Sequence, residues 1–288
     1  MIMTRLQIIK KYLLGLALLN VAHIALANIP STFKKGIKAE SSPPLSTRAD
    51  CVQGSSRFDM DINNVRATLL SSGDVWWDLD NGQYIVPKVQ PGTGAKAVSA
   101  IFAGAVWLGG KDPIGNLKVA VQTYRNGTKT DFWPGPLKET TGTTDAQTCE
   151  NWDKHFIVFA FEIDSLIKIF NAARAKDPLN PQIDCGLVPE NVKGWPSFGN
   201  PYFFDIHRFT LPRASQGLAK FHDEDGDGLY DPCKGDYPII DVKGCETITA
   251  IPDQMIFWIY NDNGGVHTQS SRSTAIQMEV QVQAFAKV

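Results

Sequence analysis

The sequence predicts a mainly β (α+β) protein whose core is an antiparallel β-sandwich-type domain with one helix and a loop-rich insertion. Three observations lead to this prediction. Residues 63–124 consist of short β-branched and aromatic runs separated by turn residues. Only residues 163–176 place apolar side chains at helical spacing. Residues 276–286 alternate apolar and polar side chains, which is typical of a strand with one buried face.

The elements follow in chain order. Strands are predicted at residues 65–70, 75–79, 83–87, 98–108, 117–124, 156–161, 255–260 and 276–286. Asp80-Asn81-Gly82 is a hairpin turn between the second and third strands. Asp177-Pro178 ends the helix, because proline cannot continue it. We expect the strand at 255–260 to turn at residues 261–265 and to pair with the last strand.

The first 27 residues are predicted to be a signal peptide. Arg5, Lys10 and Lys11 precede an apolar stretch, and Ala25-Leu26-Ala27 fits a cleavage site. Residues 28–50 are rich in Ser, Pro and Lys and read as a flexible leader. No later stretch approaches ~20 apolar residues, so no membrane span is expected in the mature chain. The protein is therefore predicted to be exported, to the extracellular space or outer cell surface, with the periplasm as the alternative.

Residues 51–288 are predicted to form a single β-rich domain, with the loop-rich insertion at about 177–253. The final strand runs into the last residue without a turn, so we expect the chain to be truncated at its C-terminus. The formal net charge of −2 becomes about −5 once the basic signal peptide is removed. That acidic excess argues against nucleic acid as a partner.

The chain has five cysteines, at positions 51, 149, 185, 233 and 245, and none lies in a CxxC pair. In an oxidising compartment, Cys233 and Cys245 are close enough in sequence to bridge a loop of about 13 residues, which would contribute about 3 kcal/mol of stability. Cys149 with Cys185 is a second expectation and would leave Cys51 unpaired. Spacing alone does not fix the connectivity.

The densest chemical pattern is the run from Asp223 to Asp231. Asp223, Asp225 and Asp227 alternate, and Gly228 then permits a sharp turn. A hard cation such as Ca²⁺ requires six to eight oxygens converging from one tight coil. The run therefore predicts a calcium loop whose ligands are Asp223, Asp225, Asp227, the Leu229 carbonyl and Asp231.

The calcium loop departs from the EF-hand pattern at its end. Position 12 is Lys234 where an EF-hand has a bidentate Glu, and Pro232 disfavours a following helix. The loop is more similar to the aspartate-rich calcium turns of extracellular repeat proteins, with Asp236 or a distant side chain as a candidate last ligand. The alternative is a solvated acidic turn without a metal.

After the calcium loop, the tryptophans are the second indication of function in the sequence. The chain has seven tryptophans, and Trp76 and Trp77 are adjacent. On a strand they would face opposite sides, so one of them could be exposed as a platform on which a sugar ring stacks. The alternative is that both pack in the core, because Trp buries a large apolar area.

No catalytic pattern stands out. The five histidines are scattered, with no HExxH, and no GxSxG is present. Paired carboxylates such as Asp78/Asp80 or Glu162/Asp164 could serve a glycosidase, but acidic residues near turns are common. We expect the protein not to be an enzyme.

Several segments resemble the N-terminal region of large secreted or cell-surface proteins of Bacteroidota, many of them cargo of type IX secretion. These segments are Asn63-Asn64-Val65-Arg66-Ala67, Gly73-Asp74-Val75-Trp76-Trp77-Asp78, residues 101–110, Gln122-Thr123-Tyr124-Arg125, Asp131-Phe132-Trp133-Pro134-Gly135-Pro136, the calcium loop with Gly235-Asp236-Tyr237-Pro238, and Asp253-Gln254-Met255. The resemblance implies location more than activity. The C-terminal sorting domain that such proteins often have is not in this sequence.

Together these observations predict a non-catalytic, calcium-stabilised module of an exported, surface-associated bacterial protein, acting in adhesion or surface architecture. The alternative is a carbohydrate-binding or carbohydrate-active protein that uses exposed tryptophans. The expected partners are cell-surface components or glycans.

Overall fold

The computed structural model describes residues 49–89, 93–123, 129–242, 248–270 and 273–288. The predicted signal peptide, residues 1–27, lies outside this part of the chain, as does nearly all of the leader at 28–50. Cys245 also lies outside it. All described residues belong to the compact unit that spans Pro44–Val288.

The mainly β, antiparallel fold class is confirmed. The described strands, β1 to β16 in chain order, are Arg57–Met60, Arg66–Leu70, Asp74–Val75, Tyr84–Ile85, Ser99–Ile101, Gly104–Ala105, Trp107–Lys111, Leu117–Val121, Trp133–Pro134, Phe156–Phe159, Phe221–His222, Tyr237–Pro238, Ile240–Val242, Ile248–Ala250, Gln254–Asn261 and Glu279–Ala286. The described α-helices, α1 to α4, are Ala146–Asn151, Ala160–Lys176, Glu190–Lys193 and Phe203–His207. Short 3₁₀ turns occur at Cys185–Leu187 and Pro232–Lys234.

Two larger sheets form the centre of the domain. One has the order β5-β4-β2-β3-β6, with β1 paired to β2. The other has the order β10-β15-β16, with β9 also paired to β15. Three two-stranded ribbons, β7-β8, β11-β12 and β13-β14, complete the described strands. The predicted pairing of the last strand with the strand at 255–260 is confirmed, with Gln254 opposite Ala286 and Asn261 opposite Glu279.

Strand β15 separates two hydrophobic cores. All eight of its residues are buried, and successive side chains enter opposite cores, as the two-residue period of a strand requires. Met255, Phe257 and Ile259 belong to a core that also contains side chains of α2. Ile256, Trp258 and Tyr260 belong to a second core with residues from β2 and β8.

Helix α2 begins three residues before its predicted start. The Glu162 carboxylate accepts a hydrogen bond of 3.0 Å from the Phe159 N–H, which satisfies one of the unpaired donors at the helix start. Ile163, Leu166 and Phe170 are buried along one face, as the helical spacing predicts. Within the described part of the chain, none of the helices combines the length and the apolar content that a membrane crossing requires.

The strands predicted at 75–79 and at 98–108 are both interrupted. Trp76 and Leu79 have φ of 71° and 81°, so the strand predicted at 75–79 stops at Val75. The Trp76 ring lies against Gly104, where a Cβ would come within 2.7 Å of the ring. That close approach falls in the middle of the strand predicted at 98–108, which is divided into β5, β6 and β7.

The described disulfides join Cys51 to Cys149 and Cys185 to Cys233, with Cα atoms 5.7 and 5.4 Å apart. The expected pairings of Cys233 with Cys245 and of Cys149 with Cys185 are therefore wrong, and Cys51 is not the odd cysteine. The reason is tertiary. The 3₁₀ turns that carry Cys185 and Cys233 are 48 residues apart in sequence but meet beside the helical core, and sequence spacing does not report such a contact.

Candidate metal centre

Three of the predicted ligands converge on one surface turn. Asp223, Asp225 and Asp227 each place a carboxylate oxygen within 4.8 Å of those of the other two. The turn leaves β11 and ends at the 3₁₀ turn Pro232–Lys234. Asp225 and Asp227 are exposed and Asp223 is half-buried, so the oxygens are accessible from solvent.

The backbone of the turn is shaped by two glycines and by the aspartates themselves. Gly226 and Gly228 have φ of 75° and 77°, a left-handed conformation that L side chains rarely adopt. The Asp223 carboxylate accepts from both glycine N–H groups at 2.8 Å. Asp225 accepts from Asp227 N at 3.2 Å, and Asp227 accepts from Leu229 N at 2.8 Å. Alternate carboxylates are thereby held on the inner side of a tight coil.

The other predicted ligands have different contacts. Asp231 accepts from Cys233 N at 2.9 Å and so caps the 3₁₀ turn. Leu229 has its N–H on Asp227, and coordination by its carbonyl stays a prediction. Asp236, the candidate last ligand, is fully buried and accepts from the Glu224 and Asp231 N–H groups at 2.8 Å each. It joins the two ends of the loop at their base.

Burial and, after it, the charges of Asp223 and Asp225 raise the pKa of Asp236 to about 6, although the hydrogen bonds from the Asp231 and Glu224 N–H groups act in the opposite direction. Four carboxylates in this small region therefore repel one another. A cation between the outer three would relieve the repulsion. Their donor set consists only of carboxylate oxygens, which suits a hard divalent cation such as Ca²⁺.

Lys234 is a cation already present at the turn. Its Nζ lies 3.1 Å from an Asp225 oxygen and 2.9 Å from an Asp227 oxygen. The hydrogen bond from Lys234 lowers the pKa of Asp227, and the same two carboxylates raise the pKa of Lys234. Because the side chain is half exposed, a metal ion could displace the ammonium into solvent.

The turn is connected to the helical core. Tyr230 is fully buried, and its hydroxyl donates to the Val192 carbonyl at 2.6 Å. Its ring packs edge-to-face on Phe221 of β11 at 5.3 Å. Glu224 pairs with Arg174 of α2 and lies 3.1 Å from His222 Nε2. A more ordered turn would therefore also restrain α2 and β11, because it contacts both directly.

The predicted tryptophan platform is only partly available. Trp77 is 3% exposed, and its indole N–H donates to buried Asp74 at 2.9 Å, so it packs as a core side chain. Trp76 is half-buried and lies edge-to-face on Tyr84 at 5.4 Å. Trp107, which the sequence reasoning did not single out, is 69% exposed, and its indole N–H is held by the Gln122 carbonyl at 2.9 Å.

A serine–histidine contact was also missed in the sequence, because its members are far apart in the chain. Ser56 Oγ lies 3.1 Å from His155 Nδ1. The nearby Asp153 carboxylate is bound by the Ser55 and Ser56 N–H groups and by the Ser71 hydroxyl. A catalytic triad needs its carboxylate to orient the imidazole, whereas this carboxylate anchors the chain at Ser55 and Ser56.

No protein-family model, curated protein or solved structure matches the chain. What the protein does is therefore inferred from its own residues.

Proposed function

We propose that the protein is a non-catalytic, calcium-stabilised module of an exported, surface-associated bacterial protein, acting in adhesion or surface architecture. The observation that supports it most is the convergence of the Asp223, Asp225 and Asp227 carboxylates on a glycine-shaped turn. Ca²⁺ would bind these three carboxylates, the Leu229 carbonyl and Asp231, once Asp231 turns from its cap. Its role is to order the turn on the core.

The expected affinity is low. Extracellular calcium modules bind with dissociation constants on the order of 10⁻⁴–10⁻³ M. At a tenfold excess of calcium over the dissociation constant, binding to the folded state alone would stabilise it by about 1.4 kcal/mol. Lys234 must leave its two carboxylates for this to happen, which is one reason for a weak site.

The proposed location rests on the signal-peptide pattern and on the resemblance to secreted Bacteroidota proteins. The two described disulfides are compatible with it, because such bonds persist in oxidising compartments. A surface module of this kind needs a rigid body, and a cation-ordered loop tied to α2 contributes to that rigidity.

Thermal melting with and without calcium tests the proposal. Millimolar Ca²⁺ should raise the melting temperature by a few degrees, and EDTA should reverse the shift. Asp225→Ala should abolish the response, because it removes one of three converging carboxylates. Asp164→Ala, an exposed aspartate of α2 outside the turn, is the matched control and should respond like the parent protein. A melting temperature indifferent to both calcium and EDTA would refute the proposal.

A carbohydrate-binding or carbohydrate-active role is the second candidate. The observation that favours it is the exposed indole of Trp107. Its hydrogen bond to the Gln122 carbonyl fixes the orientation of the ring, so a sugar could stack on the exposed face. A glycan array with the mature protein tests this candidate. Hits that disappear in Trp107→Ala or Trp76→Ala would support stacking on these rings, whereas an array without hits would contradict it.

A further inference from the structure

A cleft of about 470 Å³ lies away from the calcium turn. One wall is the segment 136–140, the opposite wall is the segment 209–213, and α1 closes the cleft between them. Trp152 and Phe209 line the cleft, with ring centroids 5.5 Å apart in an edge-to-face arrangement. The volume is within the range of small-ligand sites, which are concave, apolar at the base and polar at a few points.

The wall at 136–140 is fixed by hydrogen bonds. Lys138 N donates to Thr143 O at 2.7 Å, which closes the turn behind the wall. Leu137 N donates to the Glu279 carboxylate of β16 at 2.9 Å. Asn263 Nδ2 donates to Gly142 O at 2.7 Å. Because the wall is attached to the sheet, the cleft exists before any ligand arrives, which lowers the entropic cost of binding.

The rim carries hydroxyl groups and three exposed charged side chains, the cations Lys138 and Arg213 and the carboxylate Glu139. Thr140 and Thr210 are exposed at its two sides, and Asn151 adds an amide. Arg213 is exposed and forms no ion pair with any described carboxylate. Lys138 at the same rim pairs with Asp145 at 3.3 Å, in a contact where both side chains are about half exposed. Exposed pairs of this kind exchange readily for a ligand carboxylate.

A further cation lies behind the cleft. Lys154 Nζ is 5.0 Å from the centroid of the Phe209 ring. Burial lowers the pKa of Lys154. Among the residues that line the cleft, the cations Lys138 and Arg213 outnumber the one carboxylate, Glu139, and this net positive charge favours a negatively charged ligand.

We propose that this cleft binds a carboxylate-bearing glycan, that is, a chain containing uronic acid residues. Arg213 would hold the sugar carboxylate with two parallel N–H donors, a geometry that guanidinium provides and ammonium does not. The apolar face of the pyranose ring would lie on the half-buried Leu211 and Pro212, and the threonine hydroxyls would bond to sugar hydroxyls. This proposal rests on the carbohydrate-binding candidate for the type of ligand, but it places the site in the cleft and not on the Trp107 indole. It does not depend on the calcium proposal.

Calorimetric titration with an oligogalacturonate, and with a neutral cello-oligosaccharide of the same length, tests the proposal. All variants are measured at one fixed calcium concentration, because uronates also chelate calcium. The parent protein should bind the uronate at least about tenfold more tightly than the neutral chain, and Arg213→Ala should weaken uronate binding about tenfold. Arg213→Lys should recover only part of the affinity. Lys96→Ala, an exposed cation outside the cleft residues, should bind like the parent protein.

Three results would overturn the proposal: no uronate binding by the parent protein, equal binding of the two oligosaccharides, or full uronate binding by Arg213→Ala. Loss of binding in Trp107→Ala with normal binding in Arg213→Ala would also overturn it, and would place the sugar on the β7-β8 ribbon. The calcium proposal is tested by thermal melting with Ca²⁺ and EDTA, and the cleft proposal by calorimetric titration of the variants. Either proposal can therefore fail without the other. A far-UV spectrum of each variant confirms that it is folded.

Discussion

Lys234 occupies the place in the turn where the EF-hand pattern has its closing glutamate. Its ammonium bridges Asp225 and Asp227. The same side chain therefore reduces carboxylate repulsion without a metal and competes with a metal that binds. Calcium affinity at such loops rises with the number of charged ligands. Changing this one residue should thus alter affinity and metal-free stability in opposite directions.

Lys234→Glu should raise calcium affinity about tenfold, because it replaces a competing cation with a carboxylate ligand. Without calcium, the same variant should melt at a lower temperature than the parent protein, since a fourth carboxylate joins the cluster. Lys234→Gln removes the competing charge without adding a ligand, so its affinity should lie between the two. Isothermal titration with Ca²⁺ measures the series, and an order in which Lys234→Glu binds most weakly would contradict the role given to Lys234.

His155 makes the domain sensitive to acid. Burial lowers its pKa to about 4, from an ordinary value of 6.5, even though the charge of Asp153 favours the protonated form. Between pH 6.5 and 4 the unfolded chain therefore binds a proton that the folded chain does not. Stability is lost as the pH falls through this window, by about 2–3 kcal/mol from this residue.

His155→Gln should remove that contribution. Urea unfolding at pH 7 and at pH 4 should show a smaller loss of unfolding free energy for the variant than for the parent protein. At pH 7 the substitution also changes packing, because the His155 ring lies 5.2 Å from that of Trp258. The informative quantity is the difference between the two pH values. An equal acid loss in both proteins would show that His155 does not titrate in this window.

At the calcium turn, the sequence identified the residues whose contacts are local. Asp223, Asp225 and Asp227 converge because alternation and two glycines suffice to curl the chain. Asp236 could not be placed from spacing, because its role depends on burial beneath both ends of the loop. The burial of Trp77 could not be predicted from the sequence either, since it depends on a hydrogen bond to Asp74 and on the positive φ of Trp76.

At the scale of elements, strong hydrophobic periodicity was sufficient to predict a helix or strand from the sequence, whereas weak periodicity was not. Helix α2 and the pair β15-β16 were predicted because their apolar side chains repeat with one period over many residues. The strand expected at 98–108 is divided into β5, β6 and β7, and the Trp76 ring, which comes from outside the strands, lies against Gly104 of β6. Helix α1 was not predicted, although Asp145 N-caps it through the Thr148 N–H at 2.9 Å.

The disulfide Cys185–Cys233 should connect the calcium turn to global stability. Cys233 lies in the 3₁₀ turn that closes the loop, and its bond encloses a segment of 48 residues. In the chain-entropy model, removing such a bond costs about 4 kcal/mol. The Cys51–Cys149 bond spans 98 residues and should cost slightly more, but it is far in sequence from the turn.

The double variant Cys185→Ser/Cys233→Ser should therefore lose stability and most of its calcium response together. Cys51→Ser/Cys149→Ser is the matched control. It should lose similar stability but keep the calcium-induced shift in melting temperature. The measurement is melting with Ca²⁺ and with EDTA for both variants. If the control lost the calcium response and the Cys185/Cys233 variant retained it, the connection between bond and turn would be wrong.

At the scale of the whole molecule, β15 contributes side chains to both hydrophobic cores. Strand β16 pairs with the edge of β15 opposite β10. Among the described strands, β16 is paired on one side only. The charges near it are already engaged. Glu279 accepts from Leu137 N, and Lys287 pairs with Asp253 at 3.0 Å. An edge strand with few free charges is a template for pairing with another chain.

The protein should therefore associate through β16 as its concentration rises. Phe285 of this strand is 46% exposed, so Phe285→Lys adds a charge at the edge without emptying a core position. Multi-angle light scattering of the mature chain should show a mass that increases with concentration in the parent protein and increases less in Phe285→Lys. Phe161→Lys, an equally large exposed aromatic on α2, is the control and should associate like the parent. A strictly monomeric parent protein at high concentration would mean that the twist and glutamine contacts of β16, such as Gln281 to the Gly217 carbonyl at 3.1 Å, already protect the edge.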